Sequence, residues 1–263
     1  MFEFKDHYDI NDLIGIVKIL RSENGCPWDK VQTHSSIRAD FIEEVYEVVE
    51  AIDMNSAEML REELGDVLLQ VVFHSQIKTE ENVFSFEDVC NDVCQKLIIR
   101  HPHVFGEVKV DGCEQVLNNW EKIKQQTKGQ TTFTETLESV PKTFPALMRA
   151  QKVGKRAAKS GMDFADLTSA LEGLKSEIAE LEAAVAENDQ EKIKEEFGDV
   201  LFSCTNVARK AGVDSETALS EATEKFMKRF AKTEELIRLK EIDMTSLSID
   251  ELDEYWKQAK AQN

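Results

Sequence analysis

Residues 41–73 read FIEEVYEVVEAIDMNSAEMLREELGDVLLQVVF, and this stretch determines the fold of the region around it. Its apolar residues recur at intervals of three and four on both sides of a polar break at Asn55 and Ser56. This periodicity predicts two amphipathic helices joined by a tight turn, with Ser56 as the N-cap of the second helix. Each predicted helix carries two acids three residues apart, hence on one face. These acids are Glu44 and Glu47 in the first helix and Glu63 and Asp66 in the second.

The whole pattern recurs in GLKSEIAELEAAVAENDQEKIKEEFGDVLFSC, at residues 173–204. Adding 133 to the positions of the four acids leads to four further acids: Glu177, Glu180, Glu196 and Asp199. The tetrapeptide Gly-Asp-Val-Leu is also identical at residues 65–68 and 198–201. Chance is a poor explanation for so many matches at one offset, so the sequence indicates a duplicated domain.

The composition favours helices along the whole chain. Its 263 residues include 4 prolines and 11 glycines, and long stretches are rich in Glu, Lys, Ala and Leu. We expect an all-α fold of tandem duplicated helical-bundle domains, each with a carboxylate-lined antiparallel helix hairpin. The polar segment 128–142, KGQTTFTETLESVPK, is expected to be a linker. The expected domains are therefore 1–127 and 143–263.

The acids of each hairpin are symmetric about its turn. Glu47 and Glu63 each lie 8 residues from Asn55, and Glu44 and Asp66 each lie 11 residues from it. In antiparallel neighbouring helices, equal distances from the turn place these acids opposite each other. Four carboxylates facing across a narrow groove repel one another unless cations are bound there. A solvated acidic face is the ordinary alternative for one Glu-x-x-Glu, but it does not explain the same symmetry in both copies.

The ligand types indicate which metal such a site prefers. The acid pairs contain no histidine, which argues against the Glu-x-x-His ligands of di-iron bundles. An all-oxygen carboxylate set suits Mg²⁺, with Mn²⁺ as the alternative. Magnesium keeps several waters and commonly completes its shell with phosphate oxygens of a substrate. The hairpins therefore indicate phosphate chemistry.

Basic residues follow each hairpin at matching positions. Lys96 and Arg100 follow the first copy, and Lys225 and Arg229 follow the second, four residues apart in both cases. This recurrence favours phosphate binding over an ordinary salt-bridged surface. Lys192, in the first turn of the second helix of copy two, is a further candidate. Gly65 and Gly198 interrupt good helical sequence, and we expect them to allow close helix packing beside the acids.

Charge and cysteine content exclude several functions. The formal net charge is −19, so nonspecific binding to nucleic acid is not expected. No apolar run is long enough to span a membrane, and the N-terminus does not resemble a signal peptide. The five cysteines form no CxxC pair, which is typical of reduced thiols. We expect a soluble, cytoplasmic protein.

Several separated phrases resemble one family. EEVYE (43–47) followed by ELGD (63–66) is similar to the EExxE and ExxD signature of the all-α nucleoside triphosphate pyrophosphohydrolases. Further phrases resemble the two-domain MazG proteins along nearly the whole chain: CPWD (26–29), RHPHVFGEV (100–108), PALMRAQKVGKRAAKSGMDF (145–164) and EKFMKRF (224–230). The resemblance implies a Mg²⁺-dependent homodimer that hydrolyses nucleoside triphosphates of various bases to the monophosphate and pyrophosphate.

The resemblance also implies roles for individual residues of the second domain, which it favours as the catalytic one. Its metal-binding and catalytic acids are then Glu177, Glu180, Glu196 and Asp199. Its nucleotide contacts are then Lys192, Lys225, Arg229 and Trp256. The corresponding set for a second site in the first domain is Glu44, Glu47, Glu63, Asp66, Lys96 and Arg100. The second domain departs from the signature at one position, where Ser176 replaces the acid that stands at Glu43 in the first.

Two other functional classes are compatible with the same residues. In one, the chain is a regulatory module that binds nucleotides without hydrolysing them. In the other, it is a helical scaffold in which neutralising the acids relieves repulsion and changes no ligand binding. Mg²⁺-dependent turnover distinguishes the hydrolase from both.

Overall fold

The computed structural model describes residues 3–127 and 129–261. Within these ranges the structure contains helices and no strands, so the predicted all-α fold is confirmed. The helices are α1 (Ile10–Arg21), α2 (Arg38–Asp53), α3 (Ala57–Glu80), α4 (Phe86–Arg100), α5 (Pro102–Phe105), α6 (Gly112–Thr127), α7 (Phe133–Glu138), α8 (Ala146–Ala158), α9 (Leu167–Glu187), α10 (Gln190–Lys210), α11 (Ser215–Arg238) and α12 (Ile249–Ala261). No helix among the described residues combines the length and apolarity needed to cross a bilayer.

The chain divides into two compact units, Met1–Lys124 and Gln125–Asn263. The predicted linker falls in the second unit and contains α7. Its Val140 is buried, and the Arg156 guanidinium of α8 donates hydrogen bonds to the Thr136 carbonyl and, at 2.7 Å, to Ser139 Oγ. This segment is therefore packed against its unit. Five positions within the predicted domain and linker ranges lie outside the described residues: 1, 2, 128, 262 and 263.

In the first unit, α2 and α3 form a hairpin, and α1 packs on α3. The core consists of apolar residues from α1, α3 and the loop before α2: Val17, Ile37, Val72, Phe73 and Ile77. Arg21 of α1 bonds to Glu80 of α3 at 2.8 Å and to the carbonyls of Asp29 and Gln32. These bonds hold the CPWD loop to the two helices.

A histidine pair also joins the loop before α2 to α3. The Nδ1 atoms of His34 and His74 are 2.7 Å apart, and the two ring planes differ by 7°. One imidazole must donate and the other must accept, so the contact requires that at least one ring is neutral. Burial, and then the charge of His34, lower the pKa of His74.

In the second unit, α9 and α10 form the equivalent hairpin, and α8 packs on α10 as α1 packs on α3. Gly154 of α8 is buried at this contact, where an added Cβ would lie 2.9 Å from Asn206 Oδ1 of α10. The loop after α8 is held by Asp163, which pairs with Arg209 and Lys210.

Both hairpins leave large apolar side chains open to solvent in the single chain. In the first, Val45, Val49, Ile52, Leu64 and Leu68 are 39–56% exposed. In the second, Ile178, Val185, Phe197 and Leu201 are 40–57% exposed. A periodic apolar stripe ordinarily faces a core, so each hairpin presents an unpartnered apolar face.

Candidate active site

The two hairpin turns are built in the same way. Asn55 and Asn188 adopt left-handed backbone conformations, with φ of 52° and 54°. Asparagine tolerates this conformation better than most residues, so each turn reverses the chain within a few residues. The following residue caps the second helix: the Ser56 side chain accepts from the Met59 amide, and the Asp189 side chain accepts from the Glu191 and Lys192 amides.

The hairpins bring carboxylates from both helices together. In the first unit, oxygen atoms of Glu44, Glu63 and Asp66 all lie within 4.8 Å of one another. In the second unit, the equivalent oxygens of Glu177, Glu196 and Asp199 meet the same criterion. Each cluster takes one acid from the first helix and two from the second. Six of the eight predicted acids are thus in two matching clusters.

The remaining two acids lie beside these clusters. Glu47 lies beside Glu44 and Glu63, and after burial its charge contributes to the raised pKa of both. Glu180 of the second unit acts on Glu177 and Glu196 through its charge. The Ser176 hydroxyl, which stands where Glu43 is expected, is 3.5 Å from Glu180 Oε1. The second unit therefore has a hydroxyl where the first has an outer carboxylate.

The clusters alter the acidity of their members. Burial, followed by the charges of neighbouring acids, raises the pKa of Glu44 and of Glu63. The same causes, in the same order, raise the pKa of Glu177 and of Glu196. Like charges held close together disfavour ionisation of each other. A bound cation reverses this effect, because it stabilises the ionised carboxylates.

The predicted cations differ in their surroundings. Among the described residues, the ion pairs do not include Lys96, Arg100, Lys225 or Arg229. In a chain with 51 acids, four basic side chains without a carboxylate partner can bind an external anion. Lys192 is different, since its ammonium is 2.7 Å from Glu187 across the turn. That hydrogen bond raises the pKa of Lys192.

Trp256 lies on α12 and packs against α11. Its ring centroid is 5.2 Å from the Arg229 guanidinium carbon and 5.1 Å from the ring of Phe226. The structure therefore joins two of the predicted nucleotide contacts, Arg229 and Trp256, in one cation–π pair.

The first unit contains an arginine–tryptophan pair that the alignment of the two copies at an offset of 133 did not find. The Arg100 guanidinium carbon is 5.4 Å from the ring centroid of Trp120, on α6. Trp120 and Trp256 are 136 residues apart, so a search at a fixed offset of 133 does not align them. The available signal was the local phrase, because both tryptophans are followed four residues later by Lys, in WEKIK and WKQAK.

The expectation for Gly65 and Gly198 is wrong within the single chain. A Cβ built at either position meets no atom within 4 Å. The two glycines are thus on open helix surface beside the acids and do not permit a close contact inside their own unit.

Comparison with known proteins agrees with the duplication. The model of the family described as MazG nucleotide pyrophosphohydrolase domain matches residues 32–105 and 166–233. Each match contains one hairpin and reaches into or past the helix that follows it. The chain therefore belongs to the MazG family, and this class of protein consists of hydrolases.

Two relatives that match over nearly their whole length, and a longer relative that matches in part, support this assignment. A nucleoside triphosphate pyrophosphohydrolase of Escherichia coli (strain K12) is 42% identical over 256 residues, which cover 96% of this chain and 97% of that protein. The nucleoside triphosphate pyrophosphohydrolase/pyrophosphatase MazG of Thermotoga maritima is 45% identical over 249 residues, 95% of this chain and 94% of that protein. A nucleoside triphosphate pyrophosphohydrolase of Mycolicibacterium smegmatis is 39% identical over 153 residues, 57% of this chain and 46% of that protein.

Proposed function

We propose that this protein is a Mg²⁺-dependent nucleoside triphosphate pyrophosphohydrolase that accepts a range of bases. It converts a nucleoside triphosphate and water into the nucleoside monophosphate and inorganic pyrophosphate. The observation that carries the proposal is the carboxylate cluster of each hairpin, together with basic residues that form no ion pair among the described residues. The names of the full-length relatives support the choice of reaction.

The residues present fit a hard divalent cation. Each cluster offers only carboxylate oxygens, which suit Mg²⁺ and Mn²⁺. Burial, and then the charges of neighbouring acids, raise the pKa of Glu177 and of Glu196, and a bound cation would offset both effects. Glu177, Glu180, Glu196 and Asp199 are the residues that would hold the metal in the second unit. When bound, the metal supplies charge neutralisation for the phosphates and makes water more acidic.

The protein side chains position the substrate for in-line attack of water on the α phosphorus. Lys225 and Arg229 hold the triphosphate through their charge, because neither forms an ion pair within the described part of the chain. Trp256 fixes the orientation of the Arg229 guanidinium and offers its half-buried ring to the base. Lys192 reaches phosphate only after it leaves Glu187. We place the principal activity in the second unit and a second nucleotide site in the first.

We also propose that the protein is a cytoplasmic homodimer. The unpartnered apolar faces of both hairpins support this assembly, since a second copy presents the same periodic stripe. Gly65 and Gly198 lie on these hairpins with open space above them, where a partner helix can approach. Light scattering after size-exclusion chromatography is expected to give twice the 29.9 kDa mass of one chain. A mass of one chain at micromolar concentration would contradict the dimer.

The reaction is tested by product analysis with a panel of ribo- and deoxyribonucleoside triphosphates. We expect nucleoside monophosphate and inorganic pyrophosphate in equal amounts, and only when Mg²⁺ or Mn²⁺ is present. Release of orthophosphate with the nucleoside diphosphate would exclude the proposed cleavage site. Tight binding of nucleotide without any metal-dependent turnover would favour a regulatory module.

A matched pair of variants tests the assigned acids. Glu195 and Glu196 are neighbours on α10, but only Glu196 belongs to the cluster. Glu196→Gln is expected to lower kcat by about a hundredfold or more, whereas Glu195→Gln makes the same charge change outside the cluster and retains activity. The pair Glu62→Gln and Glu63→Gln provides the same comparison in the first unit, where the quantity measured is Mg²⁺-dependent nucleotide binding and Glu63→Gln is expected to weaken it more than Glu62→Gln. Equal effects of the two members of a pair would contradict the metal assignment.

A further inference from the structure

Each unit contains its own arginine–tryptophan pair, and both pairs lie outside the hairpins. Arg100 is the last residue of α4, which follows the first hairpin, and it contacts Trp120 on α6. Arg229 is on α11, which follows the second hairpin, and it contacts Trp256 on α12. In both units, then, the helix after the hairpin provides the arginine and a later helix provides the tryptophan.

The chemical state of the two arginines is also the same. Among the described residues, the buried Nε atom of each arginine has no hydrogen-bond partner, and neither guanidinium forms an ion pair. A cation–π contact orients a guanidinium but leaves its N–H groups unsatisfied. A purely structural pair in a chain with 51 acids has no need to keep both cations without a carboxylate.

The recurrence is spatial and not a fixed sequence register. The two arginines are 129 residues apart and the two tryptophans 136, while the hairpins repeat at 133. Insertions and deletions have therefore changed both loops, yet the same two side chains still meet at 5.4 and 5.2 Å. A contact that persists through such length changes indicates a requirement on the pair itself.

We propose that Arg100 and Trp120 form a nucleotide-recognition platform in the first unit, with Arg100 binding phosphate and Trp120 contacting the base. This assignment rests on the proposed function, in which the first unit holds a second nucleotide site. It completes that site with an aromatic residue that the acids and lysine alone do not provide. Base–aromatic stacking changes affinity by roughly tenfold or more.

The two platforms differ in the second aromatic partner. In the first unit the His101 ring contacts Trp120 edge-on at 4.7 Å, whereas Phe226 contacts Trp256 in the second. His101 Nδ1 is 2.6 Å from the Leu97 carbonyl, which can only accept, so Nδ1 carries the proton. In the neutral ring Nε2 is then a hydrogen-bond acceptor. The first site consequently combines an aromatic ring with a polar acceptor, and its preference among bases differs from that of the second.

The test is calorimetric titration of the full chain with the non-hydrolysable α,β-methylene analogues of ATP and GTP in the presence of Mg²⁺. We expect two nucleotides per wild-type chain, and in Trp120→Leu we expect one of the two sites to bind roughly tenfold or more weakly. Trp120→Phe, which keeps an aromatic ring, is expected to weaken that site less. Trp256→Leu weakens the other site, so the site whose affinity is unchanged in that variant belongs to the first unit.

Either of two results overturns the inference: binding of a single nucleotide per wild-type chain, or two sites of unchanged affinity in Trp120→Leu. Circular dichroism shows whether Trp120→Leu keeps its helices. If it does not, Arg100→Gln decides, because two sites of unchanged affinity in that variant refute the platform and loss of one site supports it. The analogues are not hydrolysed, so a failure here is distinct from a failure of the proposed reaction, which product analysis measures separately.

Discussion

A buried glycine in the second unit allows a stability prediction with a built-in control. Gly154 lies inside α8, and a Cβ at this position would be 2.9 Å from Asn206 Oδ1 and 3.6 Å from Arg209 Nε. Asn206 is 8% exposed, so it has little freedom to move away. Gly15 lies inside α1, which packs on its own hairpin in the same way, and a Cβ there meets nothing within 4 Å. The two positions differ in available space.

The two substitutions are expected to change the free energy of unfolding in opposite directions. Alanine is favoured over glycine in a helix interior by about 1 kcal/mol, and Gly15→Ala should gain up to that amount. At Gly154 the same gain is opposed by overpacking, about 1–3 kcal/mol. Displacement of Asn206 also weakens its 3.1 Å bond from Arg209, at about 1 kcal/mol. Gly154→Ala is therefore expected to destabilise the second unit by about 1–3 kcal/mol.

Urea unfolding followed by tryptophan fluorescence measures each unit separately. Of the three tryptophans, Trp28 and Trp120 belong to the first unit and Trp256 to the second. Replacing the tryptophans of one unit with phenylalanine leaves a signal from the other, and each glycine variant is compared with its own phenylalanine parent. A Gly154→Ala midpoint equal to or above that of its parent, with an unchanged slope, would refute the packing argument.

Three further predictions follow from charged groups. Because the pKa of His74 is lowered, the first unit should lose stability as the pH falls below about 6.5, and His74→Phe should remove that part of the pH dependence in thermal melts. Asp163→Asn should destabilise the second unit by about 1–2 kcal/mol in urea unfolding. The reason is that Arg209 and Lys210 lose their counter-charge, and the 22% exposure of the aspartate limits the effect. Glu187→Gln should release the Lys192 ammonium and lower KM for nucleotide several-fold with little change in kcat. Glu182→Gln is the control, and an equal drop in KM in that variant would contradict the role of the Lys192–Glu187 pair.

The parts of the site that follow from helical periodicity could be read from the sequence. Spacings of three residues and the mirror relation about Asn55 and Asn188 depend only on helix geometry and a tight turn. The structure accordingly places Glu44 with Asp66, and Glu177 with Asp199, in their clusters. Local rules were sufficient because each hairpin is a local element.

Features that depend on tertiary context were not predictable in this way. An apolar stripe has the same period whether it faces its own core or another chain, so the exposure of Val49 and Leu64 was not foreseen. The open space at Gly198 follows from the same ambiguity. Trp120 was missed because loop lengths changed between the copies. The polar composition of 128–142 indicated a linker, although its Thr132 caps α7 with a capping box and Arg156 holds the segment to α8.

The hairpin turns have a consequence for how the sites arise during folding. In each unit the clustered acids lie within residues 44–66 or 177–199, so assembly requires closure of one short loop and no distant pairing. The ligand cluster can therefore form early, as soon as two adjacent helices meet. An element so compact in sequence can be copied as one piece of gene and keep its geometry in a new context. The duplication in this chain is one example of that portability.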